Sequence, residues 1–282
     1  MDSWNVREPA VAGMFYPVDK KSLMRQVVEL FERAKPKKIK GQIKALISPH
    51  AGYVYSGLTA AYAYKLLENK KYDSVVVISP SHREYFDGIS IFPGTYYRTP
   101  LGDVPLDLEL CKLIIENESS IKLSQHGHIE EHALEVQLPF LQIILESFKL
   151  VPIVMGDQKK EYCYKIGDVL GKVLKNRNAL IVASTDLSHY HPYDVANQLD
   201  KIAIDAIANF DYEKLLFELE EQNTEACGGG PAAAAMIAAK KLGANKVEIM
   251  HSCNSGDVTG DKDAVVGYMS AVVYEAHTNE KK

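Results

Sequence analysis

Three times this chain runs through an apolar, strand-like stretch and delivers a histidine just past its end. Ala45-Leu46-Ile47 leads into Ser48-Pro49-His50-Ala51-Gly52-Tyr53, and Val75-Val76-Val77-Ile78-Ser79 into Pro80-Ser81-His82. Leu180-Ile181-Val182-Ala183-Ser184 leads into Thr185-Asp186-Leu187-Ser188-His189. The runs are of the buried type, and in open α/β sheets ligands and catalytic groups collect outside the carboxyl ends of the strands. A chain built this way is constrained to bring His50, His82 and the Asp186/His189 pair to one sheet edge.

Between these runs the apolar residues recur at helical spacing, as at 23, 24, 27, 28, 30 and 31. Strands alternating with helices predict an α/β fold, one domain over 1–282, with a mainly parallel central sheet flanked by helices. Some edge strands are expected to be antiparallel. The individual expectations are a helix over 23–34, a strand over 43–48, and a helix capped by Ser56 that ends near Asn69. A strand over 73–79, paired short strands within 88–99 and a helix over 107–116 follow. Residues 131–146 read as helical, with Pro139 as a kink or a start. Strands at 148–155 and 179–184 enclose a helix at 161–174. Helices at 194–209 and 211–221, then an Ala-rich one opened by Cys227-Gly228-Gly229-Gly230-Pro231, precede a strand at 247–251. A closing strand at 264–274 and a charged tail end the chain.

Composition narrows the function classes. The net charge of −5 and the absence of a basic face argue against nucleic acid, and Lys35-Pro36-Lys37-Lys38-Ile39-Lys40 reads as a solvated linker. No apolar run approaches the roughly 20 residues of a membrane span, and the N-terminus lacks a signal peptide's apolar region. The four cysteines include no Cys-x-x-Cys pair, which predicts a reduced, cytoplasmic protein.

Imidazole suits zinc, copper and iron, with thiolate and carboxylate as companions, so three strand-end histidines can surround one ion or one substrate. A lone histidine after a strand is commonly a hydrogen-bonded turn residue; three at one edge, one of them near Asp186, favour a site. Glu131, His132 and Glu135 are candidates for supporting or substrate contacts, or else charge complements of a helix N-terminus. His126 and His128 read as exposed loop residues. Tyr53 and Tyr55 are placed to line the pocket or to pack. The Cys227–Gly230 stretch offers backbone N–H groups to an anion, or is a tight turn. His191, after Tyr190, is a weaker candidate.

Several of these segments, in order, closely resemble the Memo family: Ser48–Tyr53, Pro80-Ser81-His82, Glu131-His132-Ala133-Leu134-Glu135, Asp186–His189 and Ser252-Cys253-Asn254-Ser255-Gly256-Asp257. The opening Arg7-Glu8-Pro9-Ala10-Val11-Ala12-Gly13-Met14-Phe15-Tyr16-Pro17 also resembles that family's start. The resemblance implies a fold similar to class III extradiol ring-cleaving dioxygenases, which hold non-haem iron by two His and one Glu. It implies His50 and His82 as metal ligands, with Cys253 where the dioxygenases have Glu, and His189 as acid/base beside Asp186. Read from the residues themselves rather than from the resemblance, Tyr53, Glu131, His132 and Cys227 are candidate substrate contacts. The implied cofactor is a metal ion, Fe(II) or copper first and zinc next, since a thiolate softens the site. The implied function is a metal-dependent oxidoreductase of unknown substrate; the alternative is an adaptor holding a peptide or small ligand. A radical-enzyme protein is an implied partner.

Overall fold

The computed structural model describes residues 5–276. Four parallel strands form the middle of a nine-stranded sheet: Gly41–Ser48, Ala179–Ser184, Ser74–Pro80 and Lys149–Met155, side by side in that spatial order. Their apolar runs have no polar alternation because helices cover both faces. Along each strand successive residues enter different cores. Ala45, Ile47, Val76, Ile78, Ile181 and Ala183 pack with helices Lys160–Val173 and Gly229–Lys241. Leu46, Val75, Val77, Leu180 and Val182 pack with Lys20–Arg33, Tyr53–Tyr64 and Leu138–Ile144. Each fully buried aliphatic side chain contributes about 1.5–3 kcal/mol relative to exposure, which fixes the strand register.

The flanks of the sheet are mixed. The closing strand Val265–Ala276 runs antiparallel to Gly41–Ser48, and Ile89–Ile91 antiparallel to Lys149–Met155. Lys246–Asn254 pairs with the closing strand on its other side. The Ala-rich helix Gly229–Lys241 has every residue from Ala232 to Ala239 buried, and Gly167 of the neighbouring helix sits against Ile237 with no room for a Cβ. Small residues on both helices allow that close approach.

Most expected elements form within a few residues of their expected ends, and three readings need correction. Ser56 is not a cap: the helix starts at Tyr53 after Gly52, and Ser56 donates its hydroxyl to the Ala51 carbonyl. The 88–99 strands do not pair with each other. Ile89–Ile91 joins the large sheet, while Tyr96–Thr99 joins Val6–Arg7 and Gly102–Pro105 in a separate three-stranded sheet. The helical pattern over 131–146 forms only from Glu135 onward, as a single 3-10 turn and the helix Leu138–Ile144, with Pro139 in its first turn. The charged tail lies beyond 276, outside the described residues. Among the described residues no helix is long and apolar enough to cross a membrane.

Candidate metal centre

Three imidazoles converge at the carboxyl edge of the four parallel strands. His50 leaves its strand through Pro49 and is 2% exposed. Its backbone N–H donates to Asp186 Oδ1 at 2.7 Å, and Nδ1 lies 2.9 Å from Ser184 Oγ. Three further bonds decide the tautomer. Tyr64 donates to Gln137 Oε1 (2.7 Å), which orients that amide so that its Nε2 donates to Ser184 Oγ (2.7 Å). Ser184 spends its single hydrogen on the Ala133 carbonyl (2.7 Å). Ser184 therefore accepts from His50, so Nδ1 carries the proton and Nε2 presents a lone pair to the site. Burial, with His82 nearby, holds His50 well below the usual imidazole range, in its neutral form.

His82 is exposed at the edge and is oriented by Glu131. Its backbone N–H donates to Glu131 Oε2 (2.5 Å) and its Nδ1 to Oε1 (2.9 Å), which leaves Nε2 for a ligand. A carboxylate behind an imidazole in this way is the usual support of a metal-bound histidine. Glu131 also accepts from the backbone of His132 (2.9 Å) and Ala133 (2.8 Å). Burial opposes its ionisation, but the bonds and charges from His82, His132 and Ala133 outweigh it and hold the carboxyl near about 2. The His132 ring stacks on His82 with centroids 4.7 Å apart, backed by Phe15 at 4.8 Å. Burial and the neighbouring His50 push His132 down to about 4. One donor atom from each of His50, His82 and His132 lies within 4.8 Å of the others, so the three could hold a metal ion.

Beside this trio stand a thiol and a carboxylate. Cys227 Sγ is 3.1 Å from His50 Nε2 and receives the Asp186 backbone N–H at 3.3 Å. Asp186 Oδ2 lies 3.9 Å from the same Nε2. Burial and Asp186 push the Cys227 thiol well up, and burial raises Asp186. The glycines after Cys227 do not form an anion cradle. Gly228 N–H donates to Thr185 Oγ1 and Gly230 N–H to Gln158 Oε1, so these amides are already satisfied. His189 stands in the same neighbourhood as Asp186 and His50. The Asp186 carboxylate nevertheless accepts from the backbone of His50 and makes no hydrogen bond to His189; the His189 backbone N–H donates to Glu225.

Other expected site residues fall elsewhere. Cys253 sits on Lys246–Asn254, which reaches the same sheet edge but lies two strands out from Gly41–Ser48, roughly 10 Å at the usual strand spacing. Its Sγ pairs with Thr59 Oγ1 at 3.2 Å, a hydroxyl shared with His251. It is not in the trio, and Cys227 takes the place beside His50. Tyr53 is in the core, donating to the Val136 carbonyl, and does not line the site. His126 is exposed, but His128 is fully buried, with Nδ1 2.5 Å from the Tyr97 hydroxyl. Glu135 forms a buried ion pair with Arg7. Sequence reasoning missed Ser184 and Gln137, which set the His50 tautomer, and treated His132 as an accessory group. The Glu131-His132 adjacency was the one local signal available for the third donor.

A family model described as "Memo-like protein" matches residues 7–272. A MEMO1 family protein of Nitrosopumilus maritimus is 40% identical over 268 residues, covering 93% of this chain and 98% of its own length. One from Methanosarcina mazei is 39% identical over 271 residues (95% and 99%), and one from Aquifex aeolicus 41% over 268 (95% and 98%). The crystal structure of an uncharacterized protein from Escherichia coli K12 superposes with a TM-score of 0.56 at 14% identity, over 82% of this chain and 100% of that one. At that identity the likeness is one of fold alone.

Proposed function

The chain belongs to the Memo family, and from that premise we propose that His50, His82 and His132 hold a catalytic metal ion in a metal-dependent oxidoreductase. The observation that carries the reading is the convergence of three imidazole donors, two of them with Nδ1 committed to a hydrogen-bond acceptor and Nε2 turned to the site, where that of His50 faces the Cys227 thiol. A bound ion would supply Lewis acidity and, if iron or copper, one-electron chemistry. Cys227 Sγ and Asp186 Oδ2, 3.1 and 3.9 Å from His50 Nε2 and both pushed toward their protonated forms by burial, would become further donors on losing a proton as the ion enters. A sulfur donor favours copper, zinc or iron over the hard cations. Glu131 keeps His82 turned toward the ion, and exposed His82 marks the side from which a small molecule enters. His189, with Asp186 nearby, would take or give a proton near a bound substrate.

The test is elemental analysis of protein purified without oxygen, with His50→Ala, His82→Ala and His132→Ala beside it. About one ion per chain is expected, lost in each variant and retained in Cys253→Ala. A wild-type protein that takes up no iron, copper or zinc after reconstitution defeats the reading.

A binding-only role draws on Tyr55 and Tyr190, which expose large aromatic surface at 42% and 75%. The variant His189→Ala separates the two. Turnover abolished with the metal retained favours the enzyme, whereas ligand binding indifferent to His189 favours the adaptor.

A further inference from the structure

The segment that carries two of the three donors' supports has no regular structure to hold it. From Ser124 to Leu134 the chain forms neither helix nor strand, yet it presents Glu131 and His132 to the site. Its fixed point comes from the other end of the molecule. Arg7 is 1% exposed, and its guanidinium donates Nε to the His128 carbonyl at 2.8 Å. Nη2 donates to the Glu131 carbonyl, and Nη1 to the Glu135 carboxylate. The Tyr97 ring lies 5.2 Å beneath it. Glu135 in turn accepts the Ala10 and Val11 backbone N–H groups (2.7 and 3.1 Å) and the Tyr16 hydroxyl. One planar fork thus grips the loop at 128, 131 and 135, and the residue gripped at 131 is the one whose carboxylate holds His82 and His132.

Resting on the metal-centre reading above, we infer that Arg7 is a positioning residue of that centre, acting through Glu131 on His82 and His132. The guanidinium's fixed geometry is what the task requires. Three acceptors in different directions are met by one rigid plane, which the single ammonium of lysine cannot reproduce. The N-terminal segment and the metal site are then energetically linked, and each strengthens the other.

Anaerobic zinc titration of the wild type, Arg7→Lys, Glu131→Gln and the double variant tests this. Arg7→Lys is expected to weaken zinc binding by about 10- to 100-fold, the usual effect of losing a residue that supports a ligand. The double variant is expected to bind no more weakly than Glu131→Gln alone, because both act through the same carboxylate. A folded Arg7→Lys protein that binds zinc like the wild type overturns the inference, as do losses that simply add. Should Arg7→Lys not fold, amide exchange on the wild-type protein decides. Zinc is expected to slow exchange at Ala10 and Val11 relative to amides of helix Lys160–Val173, and unchanged rates count against Arg7. A wild type that binds no zinc, iron or copper defeats the metal reading itself, whereas normal wild-type binding with an indifferent Arg7→Lys defeats only this one.

Discussion

Cys227 is a thiol held in its protonated form by burial and by Asp186, and that has a measurable consequence. If the sulfur binds the ion as thiolate, loading must expel one proton, so zinc affinity is expected to rise about tenfold per pH unit near neutrality. His50 and His132, already held neutral, add nothing to that slope above about pH 6. Calorimetry in buffers of different ionisation enthalpy counts the proton, and Cys227→Ala is expected to flatten the dependence. A wild-type affinity independent of pH from 6 to 8 would exclude the thiolate ligand. His128 acts on stability instead. Burial, with Arg7 nearby, depresses it from 6.5 to about 3 in the folded state. Its contribution is complete above the unfolded value and is lost as pH falls from 6.5 toward 3, a matter of roughly a few kcal/mol. Thermal unfolding followed across that range is expected to fall less steeply in His128→Gln. The Glu131 carboxylate, held near about 2, adds a second loss only below about pH 4.5.

At the scale of elements, the four central strands were legible because strands covered on both faces need apolar residues at every position, as at Val75–Ile78 and Leu180–Ala183. Strand-end histidines were legible for the same reason. What could not be read was lateral order. Cys253 ends a strand and Cys227 precedes a helix, and only the pairing of Lys246–Asn254 outside the closing strand sets Cys253 apart from the three imidazoles while Cys227 lies beside His50. His132 was hidden by a helical pattern ahead of whose first turn it stands: its carbonyl accepts the Val136 N–H, while Glu131 accepts the N–H groups of His132 and Ala133. The contact of Glu131 with His82 spans 49 residues and leaves no periodic trace. Packing of the helices makes a separate claim. At Gly167 a new Cβ would lie 2.6 Å from Ile237, so Gly167→Val is expected to lower stability by about 2 kcal/mol through overpacking. Denaturant unfolding measures that loss, while zinc stoichiometry is expected to stay unchanged.

For the whole molecule the decisive feature is that Ala179–Ser184 lies between the two strands that deliver His50 and His82. Those two strands do not pair with one another; each pairs with the later one. That same strand supplies Ser184, which fixes His50, and leads into Asp186. A ribosome releases His50, His82 and His132 well before it releases residue 179. A growing chain therefore carries all three histidines for the time it takes to make some fifty further residues, with no wedge to set two of them at the right separation. The three imidazoles that could hold an ion therefore reach their separation only once Ala179–Ser184 has entered the sheet between the first two strands.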